Sequence, residues 1–286
     1  MKMPYINKII LGTVQFGLDY GINNVSGQVS PTEVMKILSV CKESCITKLD
    51  TSAAYGNSEK ILGEFIKSDF DVISKYPGCS RSVESVFNNT LADLGVNRIY
   101  GYLIHHFNFF KEHTHIWEDI FLLKETGKIK KIGFSIYNID ELNFLFDNNI
   151  EFDLIQFPYN IFDRRFDPYL YELKKRNVEI HIRSVFLQGL FFKDLNLLNE
   201  KIRPLKSYLL ELREFCKKRN YSIESFALNY VLHNQYIDGV LIGVDNADQL
   251  KRNIDCVWDI FPTEEHDFIY SINVKEKELL HPNNWN

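Results

Sequence analysis

The 286-residue chain has no basic excess: 33 lysines and arginines stand against 38 aspartates and glutamates, for a formal net charge of −5. Phosphate-backbone binders usually carry a surplus of positive charge, so nucleic acid is not an expected partner. The five cysteines (Cys41, Cys45, Cys79, Cys216 and Cys256) are scattered and form no C-x-x-C. That excludes a small disulfide scaffold and reads as reduced thiols in a cytoplasmic protein. No run reaches the roughly 20 apolar residues of a membrane helix, and the N-terminus has no signal-peptide pattern, so no membrane partner is expected. The eight prolines are dispersed, and no Gly/Ser-rich stretch or block of like charge marks a linker or tail. What is present is globular: 45% hydrophobic, 25% charged and 14% aromatic residues. One domain over residues 1–286 is expected. The oligomeric state is not legible.

Short apolar segments alternate with helix-period segments along the chain. Strands are predicted at Lys8–Leu11, Ile46–Leu49, Phe70–Ser74, Ile99–Ile104, Lys131–Phe134, Asp153–Phe157, Glu179–Ile182 and Gly239–Ile242. Their cores resemble strands covered on both faces. Ser30-Pro31-Thr32-Glu33 reads as a capping box with proline at the first helical position, followed by the buried face Val34, Ile37, Leu38 and Cys41. Further helices are predicted over Asn57–Lys67, Val83–Leu94, Ile116–Thr126, Ile139–Asp147, Pro168–Arg176, Ile223–His233 and Asp248–Cys256, with an extra one at Leu205–Lys218. Eight strand–helix units in this length predict an α/β protein, a (β/α)8 TIM barrel. A doubly wound open sheet is the competitor, and the missing G-x-G-x-x-G after the first strand counts against its dinucleotide-binding form.

In such a barrel the chemistry gathers at the C-terminal ends of the strands. The second predicted strand runs into Leu49-Asp50-Thr51-Ser52-Ala53-Ala54-Tyr55-Gly56, the third ends at Ser74-Lys75, and the fourth ends at Ile104-His105-His106. A free phenol, with a pKa near ~10, exchanges protons poorly at neutral pH. A lysine beside Tyr55 is expected to lower that pKa, an aspartate to anchor the lysine, and a histidine to orient a carbonyl oxygen toward the phenol. Tyrosine as proton donor suits carbonyl reduction by a nicotinamide. Singly, each residue has a structural reading as a turn, a solvated charge or a core histidine. Their convergence on three adjacent strand ends is harder to dismiss.

Asp50-Thr51-Ser52-Ala53-Ala54-Tyr55-Gly56-Asn57-Ser58-Glu59 resembles the D-x-A-x-x-Y-G-x-S-E signature of the aldo-keto reductases. Gly12-Thr13, Tyr102-Leu103-Ile104-His105 and Gly133-Phe134-Ser135 resemble that family's G-T, Y-L-I-H and G-V-S segments. The resemblance runs from about Ile9 to Asn253. It implies a tetrad with Tyr55 as general acid, Lys75 tuning it, Asp50 anchoring Lys75 and His105 orienting the carbonyl. It also implies NADP or NAD bound across the barrel mouth, and a small-molecule aldehyde or ketone as substrate, a sugar or nucleotide sugar among the candidates. The cofactor residues it implies are Gly12, Thr13, Asp50, Ser135, Gln156, Arg183, Ser184, Gly243, Asp245, Gln249 and Asn253. The asparagine expected after Ser135 is Ile136. Arg183 stands where an aromatic residue stacks on the nicotinamide; a guanidinium plane can stack there too, or pair with an acid. Asp245 replaces the basic residues that hold a 2′-phosphate and favours a free ribose hydroxyl, against the family default of NADPH. His106 and Phe107 are candidates for the substrate pocket, although Phe107, Phe109 and Phe110 have packing as their alternative.

No metal site is expected. His113-x-His115 lacks a nearby acidic ligand set and reads as a solvated loop. Arg164-Arg165 is either a solvated pair or a contact for an anionic substrate. Two other functions compete with the reductase: a non-catalytic dinucleotide-binding sensor on the same barrel and, more distantly, a metal-dependent hydrolase or lyase.

Overall fold

The computed structural model describes residues 3–66 and 69–285. Eight parallel strands close a barrel in sequence order: β1 (Ile9–Gly12), β2 (Lys48–Asp50), β3 (Asp71–Tyr76), β4 (Ile99–Ile104), β5 (Ile129–Ser135), β6 (Leu154–Pro158), β7 (Glu179–Arg183) and β8 (Gly239–Gly243). Every strand lies within about two residues of its predicted position. The helix at Ser58–Phe65 is shorter than the predicted Asn57–Lys67, and Lys67 lies outside the described residues. The extra helix forms at Lys206–Arg219. Ser30 caps the helix Pro31–Glu43, but Glu33 turns its carboxylate to the backbone N–H of Ala247 at 2.9 Å, helping to cap the neighbouring helix Ala247–Asp255.

The two-residue strand period sorts the side chains. Leu11, Leu49, Val72, Phe134, Ile155, Ile180 and Val240 pack outward with the helices in one large core. Ile10, Ile73, Leu103, Leu154 and Leu241 form a separate apolar layer inside the barrel. Two residues further along these strands, toward their C-terminal ends, stand Gly12, Lys75, His105, Gln156 and Gly243. Asp50, Ser135 and Arg183 hold the corresponding positions on β2, β5 and β7. One alternation therefore carries both the plug of the barrel and its polar mouth. Gly133 allows β5 and β6 to close: a Cβ there would lie 1.6 Å from the Leu154 carbonyl oxygen.

At the opposite end the barrel is sealed by Glu179. It accepts from Tyr100 Oη at 2.6 Å, lies 2.7 Å from His181 Nε2, and pairs with Lys131 at 2.5 Å and Lys48 at 3.5 Å. Burial pushes this carboxyl up, but the His181, Lys131 and Tyr100 contacts outweigh it and hold it well below the usual carboxylate range. Such a group adds stability that is complete above its unfolded pKa of about 4.3 and is lost as pH falls toward the folded value. Thermal melts from pH 7 down to pH 3 should therefore show Glu179→Gln less stable at neutral pH, with a shallower acid limb. An unchanged acid limb would remove Glu179 from this role.

Several segments depart from expectation, two of them beside the mouth. The region after β4 forms a helix, Phe107–Glu112, because Phe107 and Phe110, three residues apart, both turn into an aromatic cluster with Phe134 and Phe144. A C-terminal helix, Glu264–Ser271, was not anticipated, and the segment after it returns to the mouth, where His281 stacks on Tyr137 at 4.2 Å.

Candidate active site

The mouth holds a half-open cavity of about 240 Å3, lined among others by Gly12, Thr13, Asp50, Tyr55, His105, Ser135, Gln156, Arg183, Ser184, Gly243, Asp245 and Gln249. Register explains the assembly. Asp50 lies opposite Gly12 on β1, Lys75 opposite Leu103 on β4, and Ser135 opposite Gln156. Lys75, fully buried beneath the cavity, donates to Asp50 Oδ1 at 2.5 Å and to the Thr51 carbonyl at 2.8 Å. The other carboxylate oxygen, Oδ2, accepts from Gln156 Nε2 at 2.8 Å. Lys75 Nζ sits 5.1 Å from the centre of the Tyr55 ring.

Tyr55 lies on the turn between β2 and the helix Ser58–Phe65, and glycines fix that turn. Gly17 ends a one-turn helix, Val14–Gly17, that presses on it: a Cβ at Gly17 would stand 1.8 Å from the Tyr55 carbonyl oxygen. Gly56 adopts φ +56°, a region open to glycine at little cost. Gln28 ties the two segments together, donating to the Phe16 carbonyl at 2.6 Å and to Asn57 Oδ1 at 2.9 Å. Gly17→Ala is expected to displace Tyr55, and a shift of about 1 Å costs on the order of 100-fold in turnover. Steady-state kinetics showing wild-type turnover in this variant would refute the constraint.

His105 meets the Tyr55 ring edge-on at 5.7 Å. Its Nδ1 lies 3.0 Å from Ser52 Oγ, which already accepts the Ala54 N–H at 3.1 Å. If Ser52 gives its hydroxyl proton to Nδ1, the ring hydrogen sits on Nε2. Burial, then the positive charge of Lys75, pushes the imidazole pKa down to about 2. At neutral pH His105 is a neutral hydrogen-bond donor. The sequence motif contains Ser52 but does not disclose this task.

Burial, then the Asp50 carboxylate, pushes the Tyr55 phenol above its ordinary range, and the Arg183 cation opposes that rise. The charge of Lys75 is offset by Asp50 at ion-pair distance.

The remaining sequence candidates separate by place. Thr13 Oγ1 donates to the Asp50 carbonyl at 3.0 Å and, with Ser58, braces the base of the site. Gln249 Oε1 accepts the Asp245 N–H at 2.8 Å at the rim. Asn253, one helical turn further along, is buried and does not line the cavity. Phe107 is also absent from the lining, since it packs in the aromatic cluster. His106 is exposed and stacks on His105 at 4.9 Å. Arg164 bonds the Ile161 and Ile272 carbonyls, and Arg165 pairs with Asp163, so this pair staples loops instead of facing the cavity. His113 stacks on Phe109, and no cluster of three or more potential metal ligands occurs among the described residues. Sequence reasoning missed Tyr137 altogether and placed Gln15 and Tyr20 only within a pocket-forming segment, without singling either out; all three line the mouth.

A dinucleotide fits this donor and acceptor set. Gln15 Oε1 is buried at the cavity without a partner among the described residues, an acceptor waiting for a donor such as a sugar hydroxyl. Glycine at 243 keeps that place open: a Cβ there would stand 2.6 Å from Gln15 Nε2 and 2.7 Å from Oε1.

The closed (β/α)8 barrel thus gathers a tyrosine, a buried lysine–aspartate pair and a histidine at one mouth, a candidate site for acid–base chemistry. The sequence profile described as "Aldo/keto reductase family" matches residues 8–274, and the chain belongs to that family. Membership places it among oxidoreductases that reduce carbonyl compounds with NAD(P)H. A curated relative, L-galactose dehydrogenase of Arabidopsis thaliana, is 24% identical over 269 residues, covering 84% of this chain and 82% of that protein. Among solved structures, an aldo-keto reductase from Bacillus halodurans in its holo form superposes with a TM-score of 0.73 at 21% identity, covering 94% of each chain. An aldo-keto reductase from Pseudomonas aeruginosa gives a TM-score of 0.66 at 19% identity, over 87% of this chain and 89% of that one. No helix among the described residues is long and apolar enough to cross a membrane.

Proposed function

We propose that this protein reduces an aldehyde or ketone to an alcohol, with Tyr55 as proton donor. The observation that carries the reading is the meeting of Tyr55 and His105, edge-on at 5.7 Å, above the buried Lys75–Asp50 ion pair. The cofactor, when bound, supplies hydride to the carbonyl carbon. His105 donates from Nε2 to the carbonyl oxygen and orients it toward Tyr55. Tyr55 releases its proton as negative charge develops on that oxygen, with the Arg183 cation easing the departure. Lys75 and Asp50 hold the floor. Gly12, Ser135, Gln156, Ser184, Gly243 and Gln249 would hold the dinucleotide.

Half-buried Asp245, at the end of β8, supports NADH over NADPH, since a carboxylate repels a 2′-phosphate. A sugar carbonyl is the substrate class we favour, in keeping with the activity named for the Arabidopsis relative. Parallel fluorescence titrations with NADH and NADPH, followed by a carbonyl panel with the tighter binder, test the reading. Micromolar binding and turnover support it; binding of neither cofactor overturns it.

The neutral state of His105 also has a pH signature. Between pH 5 and 8, kcat/KM should show no ionisation belonging to this imidazole. An acid limb near pH 6–7 that disappears in His105→Gln would contradict its assignment as a neutral donor.

A further inference from the structure

Arg183 enters the cavity from the end of β7. Its Nη2 donates to the Ile136 carbonyl at 3.1 Å, and its guanidinium lies 3.9 Å from the centre of the Tyr137 ring, which is backed by His281. These contacts fix the group without neutralising it. Among the described residues no carboxylate is within ion-pair distance of Arg183. Asp50 is taken by Lys75 and Gln156, and Asp245 stands at the end of β8 without reaching it. The arginines at 164 and 165 are tied to carbonyls and to Asp163. Arg183 is thus a half-buried cation held rigidly on neutral supports, in the same cavity as Tyr55 and His105.

We propose that the carbonyl substrate carries an anionic group, carboxylate or phosphate, and that Arg183 is the residue that selects it. The inference rests on the reductase reading above and narrows its substrate class. A guanidinium offers planar paired N–H donors that match either oxyanion, and a preorganised cation with no internal counterion binds one without first breaking an existing pair. Replacement of the Ile136 tether by a carboxylate partner would have cancelled this capacity; a neutral carbonyl leaves it intact.

Two matched pairs of aldehydes test the inference and separate the two anions: 4-oxobutanoate against butanal, and glyceraldehyde 3-phosphate against glyceraldehyde. The wild-type enzyme should favour the anionic member of at least one pair in kcat/KM by roughly ten- to a hundred-fold. The pair that shows the preference identifies the anion. In Arg183→Met that ratio should collapse toward one, whatever common change in rate affects both members. Arg183→Lys, which keeps the charge without the planar fork, should retain part of it and carries the test if the methionine variant does not fold. Equal kcat/KM within both pairs in the wild type, or a ratio that survives in Arg183→Met, overturns the inference while leaving the reductase reading intact. No turnover of any of the four compounds, in the presence of a bound cofactor, overturns both.

Discussion

Tyr55→Phe is expected to lower kcat by roughly 10^2- to 10^4-fold, the range associated with loss of a positioned acid, while the affinity for the reduced cofactor stays near that of the wild type. The substitution removes one oxygen and keeps the ring that His105 meets edge-on and Lys75 underlies. A large effect would therefore report chemistry more than collapse of the site. The phenol holds its proton tightly because burial and Asp50 both disfavour the phenolate. Release is coupled to charge arriving on the substrate oxygen, so the step should depend on the intrinsic acidity of the ring. Tetrafluorotyrosine at position 55 would shift the pH dependence of turnover where a purely structural role would not. A phenylalanine variant within tenfold of wild-type kcat would end the assignment of Tyr55 as proton donor.

Asp50→Asn should bring the largest loss of stability of any single polar change in the mouth. Both carboxylate oxygens of Asp50 are engaged, one by Lys75 and the other by Gln156, in a nearly waterless place. An asparagine offers one acceptor where two are used, and it leaves the Lys75 ammonium buried without a counter-charge. Breaking such a pair from one side costs about 3–5 kcal/mol, which corresponds to a fall in Tm on the order of 10 °C. Adding Lys75→Met to Asp50→Asn should recover part of the loss, because the stranded charge is removed along with its partner. Chemical denaturation of the two single variants and the double variant measures this coupling. An Asp50→Asn variant within 1 kcal/mol of wild type, or a double variant as unstable as the sum of the singles, would argue against a coupled pair.

The two variants differ in what they probe, and they also show which parts of the site were legible. Asp50, Lys75 and His105 could be found because each is a polar residue at the C-terminal end of a predicted apolar strand, while Gln156 and Arg183 were implied by the family resemblance. The barrel was readable for the same reason: the strands are covered on both faces, so their apolar cores stand out in the chain. Tyr20 and Tyr137 sit in loops and Gln15 in a one-turn helix, where neither period nor composition shows which way a side chain points. The C-terminal helix Glu264–Ser271 mixes acidic and aromatic residues and gave no clear apolar stripe. The choice between packing and pocket for Phe107 could not be made from sequence, because it depends on where Phe144 of a later helix lies. Electrostatics was the least legible layer. The sequence suggests the Lys75–Asp50 pair, but not that the Arg183 cation opposes the effect of burial on Tyr55.

The contact between Gly17 and the Tyr55 turn has a bearing on how this barrel can be re-engineered. The first loop of the mouth and the loop that carries the acid meet backbone to backbone, with no side chain between them to absorb a mismatch. They consequently form one cassette. A chimera that imports the first loop from a homologue while keeping the native turn would need a glycine at the same point of closest approach, or it would move the acid along with the graft. Library designs that diversify the mouth must hold Gly17 and Gly56 together as a fixed joint.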